Sequence, residues 1–182
     1  MELKVLALEL LKKLGIRPGQ TVLDFGCGSG TYAIPAAEIV GKKGRVYARD
    51  KDENALNELM QNARRGGLQN LERMDCSGDL DIDLQDESID VVLLLDVFHS
   101  YYFPESRQRG RLLGGIHRIL RRDGELFVYP KHMETEAKRE IEDKNFCLQR
   151  EYSGRIIHDQ RELVEGYVLI FQKKPSEKKK IL

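Results

Sequence analysis

The sequence predicts a doubly wound α/β fold: seven strands in a mostly parallel sheet, with an antiparallel edge strand. Three observations lead there. Apolar strand-like runs alternate with segments of helical periodicity. The run "IDVVLLLD" is apolar on both faces, as a strand buried inside a parallel sheet must be. Two late strand-like runs follow one another with no convincing helix between them, which suits an antiparallel pair at one sheet edge.

Each element has its own signal. Leu3, Leu6, Leu10 and Leu14, with Leu11 beside them, recur at helical spacing up to Gly15 and "RPG", predicting an amphipathic first helix. "TVLDF" reads as a buried strand, "TYAIPAAEIV" as a helix and "GRVYARD" as a second strand. Pro35 is tolerable in that helix because N–H groups of a first turn have no intrahelical partner. "DENALNELMQNARRGG" is a helix with a glycine stop, and "NLERMD" a short strand. Residues 76–88, "CSGDLDIDLQDES", are acidic and turn-rich where a covering helix could stand, so that helix is expected to be short or missing. After "IDVVLLLD" come a helix weakened by Gly110, Gly114 and Gly115, the strand "ELFVYP" and the charged helix "METEAKREIEDKN". "NFCLQREYSG" and "EGYVLIFQKK" form the late pair. One domain is expected over 1–174, followed by a basic, poorly ordered tail at 175–182.

Composition narrows the function. Lys+Arg 30 against Asp+Glu 30 leaves no net charge to draw nucleic acid or an anionic membrane. Three scattered cysteines lack disulfide or metal-ligand spacing and suit reduced cytosol; no metal is expected. No apolar run is long enough for a membrane span, and the N-terminus is unlike a signal peptide.

In such folds ligands sit at the carboxyl ends of strands, near the topological switch point. "VLDFGCGSG" follows the first strand. Gly26 and Gly28 match a dinucleotide fingerprint, but its sixth position is Thr31, with glycine one place early at Gly30. Asp24 would repel a pyrophosphate and attract a cation. A P-loop lacks its Gly-Lys-Ser/Thr. S-adenosylmethionine fits what remains: its sulfonium and ammonium would meet Asp24, and its carboxylate the N–H groups opening the next helix. Asp50, closing the second strand, would accept both ribose hydroxyls. Bland roles stand beside these: Asp24 orienting the loop, Asp50 as a helix N-cap, Asp75 in a turn, Cys27 as packing.

On these residues the chain resembles the class I S-adenosylmethionine-dependent methyltransferases over nearly its whole length. Its nearest flavour is the small-molecule group that includes the quinone-biosynthesis enzymes. The resemblance implies a Rossmann-like methyltransferase fold and a cofactor set of Asp24, Gly26, Cys27, Gly28 and Gly30 in the loop, Asp50 and Lys51 in "VYARDKDENAL", Asp75 and Cys76 on the adenine in "MDCSGDLDI", and Asp96. "LRRDG" departs from the Pro-Gly-Gly of many relatives, at a turn. Methyl transfer is a displacement that needs alignment and dryness, with a base only for some nucleophiles. The segment "DVFHSYYF" offers Asp96, His99, Tyr101 and Tyr102 as groups that could position or deprotonate an acceptor, with His99, then Tyr101, nominated for substrate contact; a histidine hydrogen-bonded to backbone behind the pocket is the alternative. It lacks the Asn/Asp-Pro-Pro-Tyr pattern of enzymes that methylate base amines. "RQRGR" (107–111) could grip phosphate, but a solvated helix face is the simpler reading. A small-molecule acceptor is therefore expected, ahead of RNA, protein or a non-catalytic S-adenosylmethionine-binding role. With one N-terminal helix and no long insertion, the pocket should be open or be completed by a second subunit, as in a homodimer.

Overall fold

The computed structural model describes residues 2–76 and 80–175. The chain runs α1 (Glu2–Leu14), β1 (Thr21–Phe25), α2 (Ala33–Val40), β2 (Arg45–Arg49), α3 (Glu53–Arg65), β3 (Leu71–Met74), β4 (Ile89–Leu95), α4 (Ser106–Ile119), β5 (Leu120–Tyr129), α5 (Glu134–Glu142), β6 (Phe146–His158) and β7 (Glu162–Lys173). The sheet order is β3-β2-β1-β4-β5-β7-β6. The first five strands are parallel, and β7 runs antiparallel between β5 and the edge strand β6. The late pair is thus where the sequence predicts it, with the last strand inserted inside the edge. The winding reverses between β1 and β4, so their carboxyl ends open the crevice in which such sheets bind ligands.

Two apolar layers flank the sheet, and period-2 alternation decides which residues face which. Val22, Val91 and Leu93 pack under Leu10, Leu11 and Leu14 of α1, with α2 and α3. Leu23, Val92 and Leu94 meet Leu112, Leu113, Ile116 and Ile119 of α4 and Ala137 and Ile141 of α5. That buried stripe explains why α4 forms despite three glycines, each costing about 1 kcal/mol against alanine.

Between β3 and β4, residues 80–88 contain no helix. Ile82 fills part of the second layer instead, and Arg118 of α4 fastens the segment by donating to the carbonyls of Ile82 and Leu84 and to Asp86. The turn "LRRDG" lies within β5, where the pairing with β4 jumps from Ile89↔Leu120 to Val91↔Glu125. The expected basic tail falls outside the described residues from 176 onward.

Candidate active site

A cavity of about 460 Å³ opens at the carboxyl ends of β1, β2 and β4, within the range of small-molecule sites. Gly26, Cys27 and Gly28 form one wall, Asp50 and Lys51 another, and Asp96 and Val97 a third.

The glycines are there for backbone shape. Gly26 has φ 80°, and a Cβ on it would come within 2.5 Å of Val97; Gly30, at φ 101°, would strike Leu59. The loop's first two N–H groups, of Gly26 and Cys27, donate to the Arg49 carbonyl, tying β1 to β2 as both strands end. Cys27 is buried, and burial pushes its thiol pKa far up, so it packs and does not attack.

Asp24 lies beneath this loop, buried and outside the cavity wall. Burial, then the charge of Asp50, raises its carboxyl to about 7, while the Ala33 N–H at the start of α2 works in the opposite direction. Its Oδ2 has no hydrogen-bond partner among the described residues. An unsatisfied buried acid close behind residues that line a cavity is what a cationic ligand would stabilise.

Asp50 is on the wall. Its Oδ2 accepts the Gly28 N–H at 2.7 Å and its Oδ1 the Asp52 N–H at 2.9 Å. The carboxylate is thereby fixed, and lone pairs on both oxygens remain for two hydroxyls. The N-cap of α3 is Asp52, which accepts from Asn54 and Ala55, so capping does not account for Asp50.

Asp75 does not face the cavity: it is exposed and paired with Arg73. Cys76 does, donating to the Asp50 carbonyl at 3.1 Å. The segment expected on the adenine continues into residues 77–79, outside the described residues.

Asp96, at φ 65°, turns back over the cavity to the tip of the β6–β7 hairpin. Its carboxylate lies 2.9 Å from Nδ1 of His158 and accepts the Asp159 N–H at 2.8 Å. Nε2 of the same ring lies 3.4 Å from Asp159 Oδ2. The three groups converge within 4.8 Å, with Asp96 at Nδ1 and Asp159 nearer Nε2, so that one carboxylate faces each imidazole nitrogen. The next hairpin residue, Gln160, accepts from Ser29 N–H at 3.1 Å and Ser29 Oγ at 2.8 Å, strapping the tip onto the glycine loop.

Comparison with known proteins decides the family. Residues 16–180 match the model of a methyltransferase domain. The chain belongs to the methyltransferase domain family. A probable cobalt-precorrin-6B C(15)-methyltransferase (decarboxylating) from Saccharolobus solfataricus is 45% identical over 69 residues, 38% of this chain and 33% of that protein. A demethylmenaquinone methyltransferase from Geobacillus stearothermophilus is 29% identical over 86 residues, 47% of this chain and 36% of that one. The chain thus matches about a third of the length of these curated relatives. A SAM-dependent methyltransferase from Aquifex aeolicus has the same fold, at TM-score 0.74 and 23% identity over 92% of this chain and 89% of that one.

Within this methyltransferase domain the two nominated catalytic side chains stand outside the cavity wall. Tyr101 is 82% exposed, while its neighbour Tyr102 lines the cavity, with Lys51 Nζ 5.3 Å from its ring centre. His99 Nδ1 accepts the Tyr101 N–H at 3.2 Å, and burial lowers the pKa of the ring. In the neutral imidazole the proton then sits on Nε2, so His99 offers a hydrogen-bond donor and no free base. "RQRGR" is only partly a solvated face. Arg109 is 7% exposed, donates twice to Glu140 at 2.7 Å and holds the Phe103 carbonyl of the Tyr101–Phe103 loop. It is a structural clamp, because the helix turns that position inward.

The sequence reading also omitted Arg49, Asp159 and Gln160 from the wall. Arg49 donates to the Asp81 carbonyl at 2.6 Å with its guanidinium over Phe25. Its place as the last residue of β2, one before Asp50, was a usable signal. The hairpin residues had none, since their position depends on pairing between distant strands.

Proposed function

We propose that this chain is an S-adenosylmethionine-dependent methyltransferase acting on a small-molecule acceptor. The observation that carries the reading is Asp50, pinned by two backbone N–H groups on the wall of a cavity whose adjoining wall is formed by Gly26, Cys27 and Gly28. Asp50 would hold the ribose hydroxyls. Asp24 and Asp96 would supply negative charge toward the positive end of the ligand, and Cys76 and Leu80 would flank the adenine. Bound there, S-adenosylmethionine supplies a methyl group activated by its sulfonium. The protein's own work is to align the acceptor and exclude water. Asp75 would reach the adenine only if it left Arg73.

A small acceptor is supported by the names of the two curated relatives and by the cavity's size. Nucleic acid is disfavoured because Arg109 and Arg111 of the basic segment already pair with Glu140 and Asp81. Balanced charge and three free cysteines fit a cytoplasmic protein working without a bound metal. Among the described residues no helix is long and apolar enough to cross a membrane. Exposed Tyr101 beside the cavity mouth is where a second subunit would complete the acceptor pocket.

The test is ligand stabilisation. S-adenosylhomocysteine at about a hundred times its dissociation constant should stabilise the fold by about 2.7 kcal/mol, and NAD should not. A melting shift with NAD alone would overturn the reading. A transfer screen over phenols, quinols, amines and thiols then identifies the nucleophile.

A further inference from the structure

We propose that His158, oriented by Asp96, is the base that takes the proton from the methyl acceptor, and that His99 is not. The inference rests on the methyltransferase reading and adds to it the residue that handles the proton.

Hydrogen-bond partners decide which nitrogen of each histidine can act. A carboxylate only accepts, so the contact between Asp96 and His158 Nδ1 places the neutral ring's proton on Nδ1 and leaves the Nε2 lone pair free. A backbone N–H only donates, so the Tyr101 N–H at His99 Nδ1 enforces the opposite tautomer. Of these two histidines, His158 is therefore the one that presents a basic nitrogen. Its orientation is fixed on both sides. The Tyr32 hydroxyl donates to the Ile157 carbonyl at 2.9 Å and accepts the Ile157 N–H at 3.1 Å, while the Asp96 carboxylate accepts the Asp159 N–H.

Asp96, Ile157 and Asp159, the immediate neighbours of the imidazole in chain and space, line the cavity, and His158 itself, 13% exposed, stands directly behind them. Asp159 Oδ2, 3.4 Å from Nε2, faces the nitrogen that becomes charged. In the step itself the bond from nucleophile to methyl carbon forms as the carbon–sulfur bond breaks with its electron pair on sulfur. The acceptor's proton passes to Nε2 and then to solvent, and Asp96 stays ionised. The titratable groups facing His158 are Asp96 from the end of β4, Tyr129 of β5 with ring centres 6.5 Å apart, and Asp159; His99 lies within electrostatic reach.

The primary measurement is the imidazole ¹⁵N spectrum of the full chain saturated with S-adenosylhomocysteine, assigned by His99→Gln and His158→Gln. The expected result is the Nδ1–H form for His158 and the Nε2–H form for His99. The reverse pattern overturns the proposal, as does Zn²⁺ or Mg²⁺ titrating onto His158 Nε2 at micromolar concentration, since a ligated nitrogen has no lone pair. Transfer of labelled methyl from S-adenosylmethionine to a phenol, a hydroquinone and a thiol is read in parallel. His158→Gln should lower turnover by about 10² to 10⁴ at neutral pH with cofactor affinity unchanged, and the deficit should shrink as pH rises. Asp96→Asn should cut turnover without abolishing the fold. Wild-type turnover in a folded His158→Gln protein overturns the proposal, and where none of the three probes is methylated the tautomer spectrum decides. Failure of the wild type to bind S-adenosylhomocysteine is a separate result and defeats the methyltransferase reading itself.

Discussion

Replacing Asp24 with asparagine isolates the charge under the glycine loop. Asparagine keeps the size and an oxygen to accept the Ala33 N–H, and removes only the ionisation. In the wild type, burial and Asp50 hold the carboxyl at about 7. With one pKa unit equal to 1.36 kcal/mol, ionising it in the fold costs about 4 kcal/mol more than in the unfolded chain, as an order of magnitude. The sign follows from proton counting. Between about pH 4 and 7 the folded state holds the proton and the unfolded state does not, so wild-type stability falls as pH rises through that window. Asp24→Asn should match the wild type near pH 4 and exceed it by up to about 4 kcal/mol at pH 8 in urea denaturation without ligand. Taking the difference between the two proteins cancels the histidines that titrate over the same range. Saturating S-adenosylmethionine, which brings a sulfonium, should narrow the gap more than neutral-sulfur S-adenosylhomocysteine does. A difference that stays flat to within about 0.5 kcal/mol from pH 5 to 8 would refute the argument, since a shift of that size must appear as stability.

Three further outcomes are expected. Asp50→Ala should weaken S-adenosylhomocysteine binding by one to two orders of magnitude in calorimetry, about 1.5 to 3 kcal/mol for charge-assisted bonds, and unchanged affinity would place the ribose elsewhere. Arg109→Met leaves the Glu140 carboxylate largely buried without its partner and should cost about 3 to 5 kcal/mol, most of it recovered in the Arg109→Met/Glu140→Leu double variant; a loss that the double variant does not recover would mean that the pair is not the cause. Gln160→Ala frees the Ser29 N–H and hydroxyl at the loop and should tighten S-adenosylhomocysteine binding by up to about tenfold, one ordinary hydrogen bond's worth, whereas weaker binding would make Gln160 a direct ligand contact.

The sequence by itself determined the scaffold and several of the residues that line the cavity at the ends of the first two strands. Leu93 and Leu94, Gly26 and Asp50 could be placed without coordinates because the information is local: strand periodicity assigns the first two to opposite faces, a tight turn requires the third, and the last must follow a strand end. Local sequence also shows that residues 76–88 lack a helical pattern, though not that Ile82 and Arg118 fill and fasten the gap. What only the tertiary structure decided is the direction of side chains and the meeting of distant segments. Asp75 has the right place in the chain, yet Arg73 draws its carboxylate outward. His99 stands in the expected segment, yet one backbone N–H two residues on sets its tautomer. His158 carries no motif. It reaches Asp96 across 62 residues because β7 folds back between β5 and β6, and that antiparallel pairing delivers the hairpin tip to the end of β4. Periodicity reports which face a residue takes; contacts across the sheet depend on strand order, which no local pattern encodes.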